Sequence, residues 1–211
     1  MDWPAVADEK RARFAEQHGE LDERALVRSG NTAYAAGLAL LMAHDDGASE
    51  WFGHAAARWR ESWDAAPPHE AWGRPIGVLK ALLLAGDDAT EAARWTLAIG
   101  TQTATSPIGR YAAALALLVL ERWPEARRVT ESLLELDDFP HDVAEALAFI
   151  AAHDPIAYVE SVESVVGSFE SREGYLEDVP VADTALVLDV LARRRGIEQS
   201  LPESIVLPEI D

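Results

Sequence analysis

The chain has 211 residues, 49% of them hydrophobic and 26% charged, a balance that suits a core-burying protein and excludes a disordered one. It has no cysteine, which excludes disulfide scaffolds and thiolate metal centres. With 37 acidic against 18 basic residues its net charge is −19, which disfavours direct nucleic-acid binding, since phosphate contact needs a basic patch. Apolar spacings of three and four recur along the chain and sustained alternation does not, so an all-α fold is expected. In chain order, helices are expected near 4–17, 21–28, 31–44, 48–65, 73–85, 88–103, 107–121, 123–136, 140–152, 155–171 and 181–195. Pro4, Pro107, Pro140 and Pro155 suit first turns, where a missing N–H has no partner to lose. Asp154 reads as an N-cap, and Asp88 with Glu91 as a capping box. Gly47, Gly86, Gly100 and Gly196 read as stops. The short connections imply antiparallel neighbours.

The start, Met1-Asp2-Trp3-Pro4, lacks the basic and apolar regions of a signal peptide. The longest apolar run, Tyr111 to Leu120, is about half the roughly 20 residues that span a bilayer. A soluble, cytoplasmic protein is therefore expected. Only Lys10 and Lys80 are lysines; the other basic residues are arginines. Many carboxylates with few lysines resemble the composition of haloarchaeal-type proteins, whose self-repulsion is screened over about 3 Å at molar salt. The alternative is an acidic face for a basic partner, but the acids are spread along the whole chain.

Internal repetition is the strongest positive signal. Arg74-Pro75-Ile76-Gly77 and Ser106-Pro107-Ile108-Gly109 each open a Leu/Ala-rich helix, and their prolines are 32 residues apart (107 less 75). Turns at Asp46-Gly47, Gly86-Asp87, Glu121-Arg122 and His153-Asp154 recur roughly every 30–40 residues, the period of paired-helix repeats. Leu120-Glu121-Arg122-Trp123-Pro124-Glu125-Ala126 followed by Leu133-Leu134-Glu135-Leu136-Asp137 resembles the turn and second helix of the tetratricopeptide repeat, with Glu121 in place of the usual turn glycine. Looser copies run through Tyr34, Gly37, Leu41, Ala55, Trp59, Trp63 and Pro67, and through Leu147, Ala151, Tyr158, Val162, Val165 and Phe169. The resemblance covers about residues 31–171 and implies a short α-solenoid of stacked antiparallel pairs. A single helical domain over 1–211 is expected: capping helices in 1–30, repeats in 31–171, and a closing helix and tail in 172–211. The tail, Leu201 to Pro208, has no helical period and is expected to pack back.

Trp51, Trp59 and Trp63 fall on one helix at spacings of eight and four, and Trp72, Trp95 and Trp123 sit near repeat joints. They read as inter-helix packing, with an aromatic-lined groove at Trp59, Trp63 and Trp95 as the functional alternative. The histidines, His18, His44, His54, His69, His141 and His153, form no His-Glu-x-x-His or i, i+4 pair and read as caps and solvated turns. No metal and no cofactor is expected. There is no Gly-x-Ser-x-Gly, no phosphate loop and no Glu-x-x-His, so no catalytic residue is assigned. Arg74 and Arg110 occupy related positions at the two Pro-Ile-Gly starts, and Tyr111 follows. With Asp178 and Asp183 in the later acidic segment, they form either a buried Arg–Asp tie or a recognition cluster.

The expected role is a non-catalytic scaffold that binds a protein or peptide partner, as monomer or homodimer, an expectation resting on fold analogy. The alternatives are an effector-binding regulator with an aromatic pocket and a toxin-neutralising immunity protein. The stretch Ala192-Arg193-Arg194-Arg195-Gly196-Ile197 is similar to some of the latter.

Overall fold

The structure, a computed structural model, describes residues 1–17, 19–65 and 71–209; His18, Pro67 and His69, named above, lie outside them. The described residues are all-α: α1 Trp3–Ala15, α2 Glu23–Met42, α3 Ala48–Ala65, α4 Gly73–Leu84, α5 Thr90–Ala98, α6 Pro107–Val119, α7 Trp123–Leu134, α8 His141–Ala152, α9 Pro155–Glu170 and α10 Asp183–Arg194. Short 3-10 turns occupy Thr101–Thr103 and Leu176–Asp178.

The starts follow from side-chain acceptors placed to meet unpaired N–H groups. Asp2 accepts from Ala5 (3.2 Å), Asp22 from Ala25 (2.7 Å), Ser106 from Gly109 (3.2 Å) and Asp154 from Ala157 (3.1 Å). The expected Asp88–Glu91 capping box does not form. Ala89, at φ 56, precedes α5, and the Asp88 carboxylate takes the Thr90 hydroxyl at 2.7 Å instead. Pro140 stands just before α8 rather than in its first turn.

Two helices expected at 21–28 and 31–44 are the single helix α2. Gly30, which falls between the two expected spans, lies inside it because it serves packing, as does Asn31. A Cβ on Gly30 would lie 2.7 Å from the Trp59 indole, and Asn31 Oδ1 accepts from Trp59 Nε1 at 3.1 Å. The same ring closes on Gly77 of α4, again at 2.7 Å.

Alternate helices end alike. After α2, α4, α6, α8 and α10, the residues His44, Gly86, Glu121, His153 and Gly196 take left-handed φ of 54, 79, 55, 59 and 81°. In each case the next N–H reaches back to a carbonyl of the last turn: Asp45 to Leu40 (3.0 Å), Asp87 to Leu82 (3.0 Å), Arg122 to Leu117 (2.9 Å), Asp154 to Phe149 (2.9 Å) and Ile197 to Ala192 (2.9 Å). This is the Schellman closure, and it reverses the chain in few residues. Gly47, expected as a stop, instead donates to Asp45 Oδ1 at 2.8 Å just before α3, while His44 closes α2.

The chain falls into two compact units. The first comprises 1–87, 172–181 and 203–211, with α1 on α2, α2 on α3 and α3 on α4 as antiparallel neighbours. Leu38, Phe52, Trp59, Leu79 and Leu83 lie in its interior. The second comprises 88–171 and 182–202, where α5 to α9 pack in succession and α10 lies against α8 and α9. Tyr111 to Val119 of α6 are all buried, as an all-round apolar helix must be. No helix among the described residues is long and apolar enough to cross a membrane.

Candidate interaction surface

The sequence-derived candidates separate into different environments. Trp59 is 6% exposed, held by Gly30, Gly77, Asn31 and the Tyr34 ring at 5.3 Å. Trp63 is buried and stacks on Trp72 at 6.1 Å. Both belong to the first unit and pack between its helices, whereas the half-buried Trp95 belongs to the second. Arg74 donates to Glu23, joining the start of α4 to the start of α2, and burial pulls its pKa down from the usual value. Asp178, also in the first unit, is exposed at φ 59 beside Glu177, which pairs with Arg13 of α1 at 2.6 Å.

In the second unit Arg110 donates to the Ser132 carbonyl at 3.1 Å, tying α6 to α7. Tyr111 is buried and packs on Phe139 at 5.5 Å. Burial pushes the Tyr111 hydroxyl well above its ordinary pKa; the Asp183 charge adds to this, and the nearby Thr184 side chain opposes it. The structure thus brings Tyr111 to Asp183 at the start of α10. A second buried tyrosine, Tyr158 of α9, faces the same helix. Burial and then the Asp189 charge raise its pKa, while Arg193 opposes them. Asp189 binds Arg193 at 2.8 Å, yet burial still holds its carboxyl above the ordinary range. The Tyr111 and Tyr158 hydroxyls and Asp189 Oδ1 are buried without a hydrogen-bond partner among the described residues, and the Asp189–Arg193 pair lies within α10 itself.

Among the described residues no cluster of three or more His, Asp or Glu is arranged to hold a metal. His44 and His153 are the left-handed closing residues of α2 and α8. His141 lies 3.6 Å from Glu145 on the same helix.

A different constellation emerges on α1 and α3, both of which pack on α2. Phe14 meets Trp51 edge-on at 5.3 Å, and the His54 ring lies 5.5 Å from Phe14 and 5.4 Å from Trp51. Arg11 sits over the Trp51 ring and Arg58 over the Phe14 ring, each at 5.7 Å. The rings are half-buried, and the side chains of Arg11, His54 and Arg58 are 44%, 45% and 32% exposed. Carboxylates flank the set: Asp8 at 3.5 Å from Arg11, Glu50 at 3.7 Å from His54 and Glu61 at 2.7 Å from Arg58.

Two stripes at helical spacing carry this surface: Arg11 and Phe14 three apart, and Trp51, His54 and Arg58 three and four apart. Looking for arginine beside aromatic at those spacings finds it in the sequence. Grouping Trp51 with Trp59 hid it, because eight residues leave an offset of about 80° around a helix, enough to turn Trp51 from the core toward α1.

No family model matches the chain, and neither a curated protein nor a solved structure is similar to it.

Proposed function

We propose that the chain is a non-catalytic scaffold of tetratricopeptide-like type whose helix pairs present the Arg11–Phe14–Trp51–His54–Arg58 surface to a protein partner. The observation that carries the reading is a half-exposed arginine–aromatic stack in a chain of net charge −19. Tryptophan and arginine dominate the energetic centres of protein interfaces. Guanidinium groups already resting on rings lose little freedom on binding, so less of the interaction is spent on ordering them. The partner of complementary chemistry offers carboxylates to Arg11 and Arg58 and an aliphatic side chain to the exposed ring edges. The recurrent left-handed closures at 44, 86, 121, 153 and 196 support the paired-helix repeat half of the proposal. The acidic surface and scarce lysines support a setting of concentrated salt.

The test compares the wild-type chain with one carrying Arg11→Ala and Trp51→Ala, both immobilised and exposed to lysate of their own cells at high salt. A discrete protein retained by the wild type and reduced about tenfold or more by the variant is expected. Equal retention by a folded variant overturns the reading.

A further inference from the structure

Beyond α10 the chain runs through the exposed Glu198, Gln199 and Ser200 and then folds into a short turn. The Ser204 carbonyl accepts from the Leu207 N–H and the Ser204 hydroxyl from the Val206 N–H, both at 3.2 Å. A serine closing its own turn in this way fixes the directions of the side chains that follow it. Val206 and Leu207 are 2% and 4% exposed, whereas Ile205, immediately before them, is 84% exposed. Pro202 and Pro208 flank the turn, and each fixes a backbone angle and lowers the entropy lost on ordering. The segment lies in neither helix nor strand, and it packs with the first unit although the residues before it, 182–202, belong to the second.

A self-closed turn that buries two adjacent aliphatic side chains and displays a third, on an exposed tether, has the form of a bound peptide. We propose that residues 203–208 are a ligand held in cis: the first unit contains a site for a peptide turn with serine, one outward residue, two adjacent branched aliphatic residues and proline. The chain's own Ser204-Ile205-Val206-Leu207-Pro208 fills that site until a partner carrying such a turn replaces it. This does not rest on the α1–α3 surface and stands if that surface has no partner.

A short tether supplies an effective concentration on the order of millimolar, so a free peptide of equal affinity competes poorly at micromolar levels. The segment thereby sets a threshold that only a partner with additional contacts crosses. Releasing the segment, or lengthening its tether, lowers the threshold.

The test is the anisotropy of a labelled peptide of residues 201–209 titrated with three full chains. One is wild type, one carries Val206→Ser and Leu207→Ser, and one has a Gly/Ser insertion of roughly 24 residues between Gln199 and Ser200. The serine variant is expected to bind the peptide at least about tenfold more tightly than wild type, and the insertion variant several-fold more tightly. A peptide with both serines is expected to bind none of them. Folded variants that bind no better than wild type overturn the proposal, as does dimerisation of the released chain without peptide binding. If the serine variant loses its helical circular dichroism, the insertion variant, whose turn is unaltered, decides alone.

Discussion

Trp59 shows how single residues set the packing of the first unit. Its indole lies 2.7 Å from where a Cβ would stand on both Gly30 and Gly77, so two helices approach it through missing side chains. Gly77→Ala is expected to lower unfolding stability by about 1–3 kcal/mol in urea titrations, because the ring has no free direction in which to yield. Gly53→Ala, on α3 with nothing within 4 Å of its added Cβ, is expected to raise it by roughly 0.5–1 kcal/mol through helix propensity alone. Equal effects would mean that the close approach is not what holds these helices. Asp189 provides a test by pH. Burial raises its carboxyl pKa in the fold, so its favourable contribution is present in acid and is lost as pH rises through the raised value. Asp189→Asn removes that loss. The melting-temperature difference, variant minus wild type, is therefore expected to become more positive between about pH 4 and pH 7, and a flat difference would contradict the burial. Gly30 also marks a limit of sequence reading. Glycine beside asparagine has the composition of a turn, and only the distant Trp59 reveals its other use.

At the scale of elements, the left-handed closures were legible as turns but not as one conformation. Gly86 and Gly196 announce themselves, whereas His44, Glu121 and His153 carry the same conformation with side chains that resist it. Glu121→Gly and His153→Gly are each expected to raise stability by about 1 kcal/mol, and Gly86→Ala to lower it by a similar amount, in thermal or urea unfolding. Opposite signs would show that the closures tolerate strain for another reason. Several helix starts were readable because a first-turn proline or a capping side chain stands there, as at Pro107, Asp154 and Pro155, whereas the Asp22 cap of α2 fell inside the expected span 21–28. The Asp88 start failed because the left-handed Ala89 separates that carboxylate from the first turn of α5. The α1–α3 surface was half legible: Trp51 and His54 stood out as residues, but their meeting with Phe14 depends on α1 returning to α3, which local spacing does not encode.

For the whole molecule, a net charge of −19 means that like charges oppose folding at low ionic strength. Screening shortens from about 10 Å at 0.1 M to about 3 Å at 1 M salt, so the melting temperature is expected to rise steadily with potassium chloride through the molar range. A melting temperature that levels off once ordinary ionic strength is reached would remove the concentrated-salt setting. The binding role is tested most directly by crosslinking at the proposed surface. A photoreactive phenylalanine analogue is placed at His54, and in a control chain at Glu163, an exposed position on α9 of the second unit. After irradiation in the cells of origin, one discrete protein adduct from position 54 and none from position 163 is expected. No adduct at 54, or the same adducts from both positions, would contradict a dedicated interaction surface on α1 and α3.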